Sequence, residues 1–253
     1  MINLEQSYLL AQTGLDMQHL HLFAEVDSTM TVAERLRLPG IHLIAADRMT
    51  AGRGQRGHSF TAPATGVYVT IVIPVRPVFL QQPGLLTMGV AAATHQVLET
   101  VLRVTTSLKW INDLYLHNHK VGGILVELKS DAQNQPESFM IGIGLNLAPH
   151  HSLATVNATA LSTTMAAKNQ LIAALYKQVV NFSVHPNLQR VRDCYNQHLL
   201  WRGQLVQVQL GNQLKRGLLQ GLDQQLRLEL VDQNGQLHHL TPEEATHLRP
   251  VQQ

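Results

Sequence analysis

Apolar and polar residues alternate along 19–25, which predicts a strand with one covered face. Asp27 and Ser28 follow, and either side chain can accept from the free N–H groups of a first helical turn. A helix is therefore predicted from there to about residue 38. Residues 41–46 form an apolar run of strand length and predict a buried strand. The 47–65 stretch has no period and is rich in glycine, polar and basic residues. So long a segment without structure in a compact chain points to a functional loop. Beyond it, 66–74 alternates with β-branched residues and predicts a strand, and 85–102 has apolar residues at helical spacing. The pattern over 108–129 predicts two strands joined by a tight turn at 117–119, and 139–147 predicts a strand carrying Gly142 and Gly144. Helices are predicted over 164–182 and 188–200, the second started by Pro186.

From residue 201 the texture changes. Short β-prone runs at 204–210, 214–222, 226–231 and 236–240 are separated by Gly-Asn, Leu-Asp-Gln and Asp-Gln-Asn-Gly turns, a spacing that predicts a small barrel. The chain thus divides into a larger unit over 1–200 and a smaller one over 201–253.

Composition narrows the function classes. Hydrophobic residues make up 45% and charged residues 14%, enough apolar material for a packed core. A formal net charge of +2, with no Lys/Arg run, gives no footprint for nucleic acid. Residues 1–18 are also too few for a winged-helix reader, so no DNA partner is expected. Cys194 is alone, which excludes an intrachain disulfide and a cysteine metal cluster. No signal-peptide pattern opens the chain and no apolar segment approaches the roughly 18 residues that a spanning helix needs, so a cytoplasmic protein without a membrane partner is expected.

Some segments carry candidate chemistry. In Ala51-Gly52-Arg53-Gly54-Gln55-Arg56-Gly57, glycines at alternate positions leave bare backbone whose N–H groups can converge on an anion, and the arginines add planar donors. The spacing fits neither a Walker loop nor a dinucleotide fingerprint, and alone the loop says only that an anion could bind; a solvated basic turn is the plainer reading. Lys109-Trp110-Ile111-Asn112-Asp113 is followed by Lys120-Val121-Gly122-Gly123-Ile124-Leu125-Val126-Glu127. Two lysines at the ends of a hairpin can direct charge into one cleft, with Asn112 and Asp113 as oxygen ligands for ribose or magnesium; the alternative is an ordinary hairpin with exposed lysines. In Ile141-Gly142-Ile143-Gly144-Leu145-Asn146-Leu147 the glycines mark close approach of another group or a bulge, and Asn146 needs partners if buried. Asp27-Ser28-Thr29 is a helix cap, or a polar pocket beside a helix start. The pairs His19/His21, His117/His119 and His238/His239 each lack an evident third metal ligand and read as surface residues.

Taken together and in this order, Asp27-Ser28-Thr29, the Thr50–Gly54 loop, Lys109-Trp110 with Asn112-Asp113, Lys120 with Gly123–Glu127, and Gly142-x-Gly144-x-Asn146 resemble the biotin–protein ligase family, in its form without an N-terminal DNA-binding domain. The resemblance implies an α/β (α+β) fold: a mixed-sheet biotin/lipoate ligase-like catalytic domain with a C-terminal Src-homology-3-like β-barrel. It implies ATP with Mg2+ and biotin as the small molecules, and biotinyl-5'-AMP as the intermediate. The implied partner is a biotin carboxyl carrier protein or domain, and a homodimer is left open. By position, the biotin site would comprise Ser28, Thr29, Met30, Met49, Gly52, Arg53, Gly54, Gln55, Lys120, Gly123, Leu125 and Gly142. The nucleotide would meet Arg56, Lys109, Trp110, Asn112, Asp113 and Asn146, with Asp113 also toward magnesium. Lys120 and Arg53 would be the catalytic cations.

The chain departs from the family pattern at Met49, where glutamine is usual, and at Gln55, often arginine. Phe60 replaces a usual tryptophan and Ile111 a usual proline. Two rivals follow: a lipoate or octanoate ligase or transferase of the same fold, and a biotin sensor weakened in catalysis.

Overall fold

The computed structural model describes residues 4–251 apart from 38, 58, 157 and 163; the side chains of Arg56 and Pro83 also lie outside what it describes. In chain order the elements are α1 (Gln6–Thr13), β1 (Leu20–Val26), α2 (Thr29–Leu36), β2 (His42–Met49), β3 (Gly52–Arg53), β4 (Ser59–Phe60), β5 (Gly66–Pro74), α3 (Pro77–Gln81), α4 (Pro83–Leu102), β6 (Ser107–Lys109), β7 (Asp113–Leu116), β8 (His119–Ser130), β9 (Pro136–Asn146), α5 (His151–Ala154), α6 (Lys168–Val184) and α7 (Leu188–His198). They continue with β10 (Leu205–Leu210), β11 (Gln213–Leu222), β12 (Leu228–Val231), β13 (Leu237–Leu240) and β14 (Ala245–Pro250).

A seven-stranded sheet in the order β1-β2-β5-β9-β8-β7-β6 forms the larger unit. β1 and β2 run parallel because α2 returns the chain between them, and every other neighbouring pair is antiparallel. One face is covered by α1, α4, α6 and α7, and the residues pointing that way (Leu43, Ala45, Val67, Val69, Ile71, Ile141, Ile143, Leu145) belong to the main core. The opposite face carries α2, which packs Met30, Val32 and Ala33 on Ile44, Val72 and Met140, and the β3–β4 ladder, whose Phe60 lies against Gly144. Because β5 is covered on both sides, all its residues from Gly66 to Ile73 are buried, and Thr70 is the polar exception, donating to Thr29.

α2 starts where the sequence placed it: Ser28 is the N-cap, its hydroxyl accepting from Met30 N at 3.3 Å. The Arg35 guanidinium donates to Asp27 Oδ2, and the Asp27 Oδ1 accepts from Ser28 N at 2.8 Å. A buried ion pair, Lys168 Nζ to Asp47 Oδ1 at 2.7 Å, joins α6 to the end of β2.

Several expectations shift. Residues 108–129 hold three strands rather than parts of two, with the tight turn at His117 and Asn118, both at positive φ. The 47–65 loop contains the two-residue ladder β3–β4. α1 was not foreseen, since its apolar face is short; Leu9 nevertheless carries it into the core. The end expected for α2 at residue 38 lies outside the described residues. Residues 84–102 of α4 are long and apolar enough to cross a membrane, with mean hydropathy 1.2, against the expectation that no apolar segment approaches that length. Threonine, glycine and histidine interrupt the run without lowering its average much, and the helix lies buried against α6, α7 and β8. Gly89 lets α6 approach so closely that an added Cβ would lie 1.9 Å from the Phe182 ring.

The C-terminal residues form a five-stranded antiparallel sheet in the order β13-β12-β11-β10-β14. β14 was not foreseen, because 245–250 lacks clean alternation. The inner residues of this sheet, among them Val206, Val208, Leu219 and Leu230, merge with the main core in one apolar cluster. The connection is tight: residue 199 pairs with Leu108 on the edge strand β6, and Leu200 N donates to the Leu108 carbonyl at 3.0 Å.

Candidate active site

The sheet face opposite the main core is floored by glycine. On β9, Gly142 and Gly144 face outward; on β8, Gly123 does the same, in register with Gly144. A Cβ at Gly142 would stand 2.9 Å from Met30 Sδ, and one at Gly144 would stand 2.8 Å from the Phe60 ring. The floor is thus bare backbone because α2 on one side and β4 on the other approach it closely.

Above this floor lies a narrow pocket. Ser28, Thr29 and Met30 at the start of α2, Met49 at the end of β2, Arg53, Gly54 and Gln55 from the loop, Phe60, and Lys120, Gly123, Leu125 and Gly142 from the strands all line it. Every residue expected around biotin is brought there except Gly52, which is buried in the ladder with Phe60. The Thr29 hydroxyl accepts from Thr70 Oγ1 at 2.9 Å, and the Met49 sulfur lies 3.5 Å from Thr29 N and 3.8 Å from Thr29 Oγ1. A thioether is a weak acceptor, so Met49 meets the helix start loosely where an amide would bind it firmly.

The pocket opens into a larger cleft of about 770 Å³. Lys109, Trp110, Asn112, Asp113 and Lys120 line it from the sheet, Gly54 and Gln55 from the loop, and Pro242, Glu243, Thr246 and His247 from the C-terminal sheet. Asn112, Lys120, Gly54 and Gln55 line both spaces, so the two are one continuous site. The C-terminal contribution was not legible in sequence, since these residues fall in a stretch without a recognisable motif.

The charges are arranged around two carboxylates. Lys120 Nζ lies 2.6 Å from Asp113 Oδ1, while Lys109 Nζ stands 3.9 Å from Asp113 Oδ2. Lys109 is mostly buried, and that burial pulls its ammonium below the ordinary lysine value. Lys120 and Arg249 push it the same way, and Asp113 alone opposes them. Its flanks are aromatic: the ammonium is 5.8 Å from the centroids of both Tyr115 and Trp201. Burial also pushes the Tyr115 phenol up to about 12. On the other side of the site, Arg53 reaches Glu127 at 2.7 Å and Glu34 at 3.2 Å.

Asn112 and Asn146 do different things. The Asn112 amide donates to the Ile124 carbonyl at 3.1 Å and lines both cavities. Asn146 is buried, its amide nitrogen 3.5 Å from the Lys120 carbonyl, and it lines neither. Its Oδ1 has no hydrogen-bond partner among the described residues. The expected Arg56 contact falls on a side chain outside the described residues. Glu127 and Phe60, for which no role was expected, both line the site.

Among the described residues no group of His, Cys, Asp or Glu is arranged to hold a metal. Members of two of the three histidine pairs have partners elsewhere: His19 stacks on His42, His238 pairs with Asp232 at 2.7 Å and His239 with Asp223 at 3.1 Å.

Residues 22–146 match the model of the biotin/lipoate A/B protein ligase family. The chain is 28% identical over 252 residues, 93% of its length and 91% of the relative's, to a biotin–[acetyl-CoA-carboxylase] ligase of Mycobacterium tuberculosis. It is 32% identical over 135 residues to the bifunctional ligase/repressor BirA of Bacillus spizizenii, a match that spans 51% of this chain and 41% of that protein. Among solved structures, the biotin protein ligase from Aquifex aeolicus in complex with biotin and ATP has the same fold. The TM-score is 0.77, at 22% identity, over 93% of this chain and all of the other.

Proposed function

We propose that this chain, whose residues 22–146 match the biotin/lipoate A/B protein ligase family, is an ATP-dependent biotin–protein ligase. One observation carries the reading: Lys109 and Lys120 converge on Asp113 in a cleft continuous with the glycine-floored pocket at the start of α2. A small acid seated in the pocket directs its carboxylate toward the same cations that would hold a polyphosphate in the cleft.

The chemistry follows from that adjacency. The biotin carboxylate attacks the α-phosphorus of ATP, the bond to the β-phosphate oxygen breaks, and pyrophosphate leaves with its electrons. Two anions must meet, and negative charge grows on the equatorial oxygens. Fixed cations stabilise that arrangement without reorganising. Lys120 sits where pocket and cleft join, and Arg53 comes from the loop, so these two face the carboxylate and the α-phosphate. Lys109 lies deeper in the cleft and faces the outer phosphates. Ser28 and Thr29 supply hydroxyls for the ureido group, and Gly123, Gly142 and Leu125 form the floor and wall beneath the acyl chain. In this reading Asn112 serves the nucleoside, and the Asn146 amide, 3.5 Å from the Lys120 carbonyl, steadies the strand that carries Lys120.

Magnesium accompanying ATP supplies positive charge beside the phosphates. It takes few protein oxygens and keeps phosphate and water for the rest, and the Asp113 carboxylate between the two lysines fits one such ligand. In the second half-reaction the neutral amine of an acceptor lysine attacks the carbonyl of the mixed anhydride, AMP leaves, and the amide forms. A biotin carboxyl carrier domain is the acceptor class this reading names, and a cytoplasmic setting suits such a partner.

Biotin-dependent exchange of labelled pyrophosphate into ATP tests the proposal. Exchange with biotin and not with lipoate supports it. Exchange driven by lipoate or octanoate would transfer the reading to the sister activity, and biotin binding without exchange would leave a sensor.

A further inference from the structure

Among the described residues Lys109 has no close hydrogen-bonded counter-ion. The nearest carboxylate oxygen is 3.9 Å away and its carboxylate is already engaged by Lys120 at 2.6 Å. A largely buried ammonium in that position needs another source of stabilisation. Two aromatic rings supply it. The ammonium lies 5.8 Å from each centroid, and the rings themselves are 6.2 Å apart at 61°, so cation and rings form a compact triangle.

Tyr115 comes from β7, two residues beyond Asp113. Trp201 comes from elsewhere. The chain leaving α7 pairs with the edge strand β6 at Leu108, with Leu200 N donating to the Leu108 carbonyl at 3.0 Å, one residue before Lys109. Trp201 then adopts φ of 65°, a left-handed conformation that a bulky side chain rarely takes. The turn is fixed on both sides: Gln204 N donates to the Trp201 carbonyl at 3.0 Å and Gly203 N to the Leu219 carbonyl at 2.8 Å. Arg202 Nε donates to the Gln220 carbonyl at 2.7 Å. Unfavourable backbone geometry held in place by surrounding bonds marks a side chain whose direction matters. Here that direction is toward Lys109.

We propose that Trp201, with Tyr115, forms an aromatic clamp that positions the Lys109 ammonium toward the phosphates of a bound nucleotide. Trp201 is a positioning residue: it acts on the nucleotide through Lys109. The clamp restricts a flexible side chain before the ligand arrives, while a carboxylate partner would compete with the incoming phosphate for the charge. It also ties the turn that leads into the C-terminal sheet, four residues before β10, to the nucleotide site.

The inference rests on the ligase reading for the identity of the nucleotide, and its test is separable. ATP affinity is measured by calorimetry on the full chain carrying Trp201→Leu, Trp201→Phe or Tyr115→Leu, beside the melting temperature of each. Trp201→Leu keeps an apolar cover of similar reach and removes the ring face. The expected result is ATP binding weakened about five- to thirtyfold in Trp201→Leu, the range for a desolvated cation over a ring. Binding should be restored to near the original value in Trp201→Phe and weakened again in Tyr115→Leu, while biotin affinity is unchanged in all of them. In turnover the effect should appear in KM for ATP rather than in kcat. Equal ATP affinity in wild type and Trp201→Leu overturns the clamp, as does a Trp201→Phe variant as weak as Trp201→Leu. If Trp201→Leu fails to fold, Tyr115→Leu decides by the same criterion. Because ATP binding is read directly, the clamp can be judged even if biotin proves to be the wrong acid.

Discussion

Arg53 Nη2 lies 2.7 Å from Oε1 and 2.8 Å from Oε2 of Glu127, so the cation of the anion loop is held by a carboxylate of the neighbouring strand. Glu34 adds a second contact to the same guanidinium at 3.2 Å. Both acids occupy directions that a substrate anion would use. The pair is about one-third exposed, so solvent moderates its strength.

Replacing Glu127 by glutamine should therefore release Arg53 at modest energetic cost. Biotin binding, followed by calorimetry, is expected to tighten about two- to fivefold, the worth of a partly exposed ion pair. Weaker binding would show that Glu127 orders the loop instead of competing with the ligand.

Lys120→Ala removes the cation at the junction of pocket and cleft. Pyrophosphate exchange should fall by at least about a hundredfold, the cost of deleting one oriented group that stabilises developing charge. Unchanged circular dichroism would show that the fold survives, and near-normal exchange would refute the role given to this lysine.

Met49→Gln places an amide where a thioether now stands 3.5 Å from Thr29 N. Firm hydrogen bonds from an amide should fix Thr29 and tighten biotin binding by about fivefold, roughly one neutral hydrogen bond. An unchanged dissociation constant would place Met49 outside the ureido pocket.

Gly142→Ala tests the floor. The new methyl would meet Met30 at 2.9–3.0 Å, and Met30 is buried, so the side chain must shift into the pocket or the helix must move. A stability loss of about 1–3 kcal/mol is expected, together with biotin affinity reduced more than ATP affinity. Equal losses for the two ligands would argue against a biotin-specific floor.

Acid should weaken the fold through His95 and His198. Their rings are 4.1 Å apart between α4 and α7, and burial holds both below the ordinary 6.5; His198 lowers His95 further, and Glu99 partly offsets this in each. The unfolded chain takes up protons near 6.5 that the folded chain refuses until lower pH. Stability is thus complete above the unfolded value and lost as pH falls through it. The melting temperature should drop between about pH 7.5 and about pH 5.5, and His95→Leu should flatten that slope.

Much of this was readable from the chain. β5 was placed to the residue by its alternation and β-branched residues over 66–74, and the α2 start was marked by Ser28, whose cap is a local bond. The pocket residues were legible because their motifs lie in consecutive elements that the sheet brings side by side. What could not be read depends on long-range contact. The cleft wall at Pro242 to His247 arises from packing between two sheets, and the Glu127–Arg53 pair joins residues 74 apart in the chain. Asn146 shares the outward face of β9 with Gly142 and Gly144 by strand alternation, as its place in the motif suggested, but its burial and its absence from the lining of both cavities depend on packing that the motif does not show.

The uneven covering of the large sheet has a practical consequence. Four helices and the main core lie on one face, while the pocket rests on the other, roofed by a short helix and the β3–β4 ladder. The surface that chooses the ligand is thereby separated by the thickness of a sheet from most of what keeps the chain folded. Substitutions at Met49 or Leu125 therefore leave the main core untouched, and what they cost falls on the small α2 cluster, the same side of the sheet on which Gly142→Ala is expected to act.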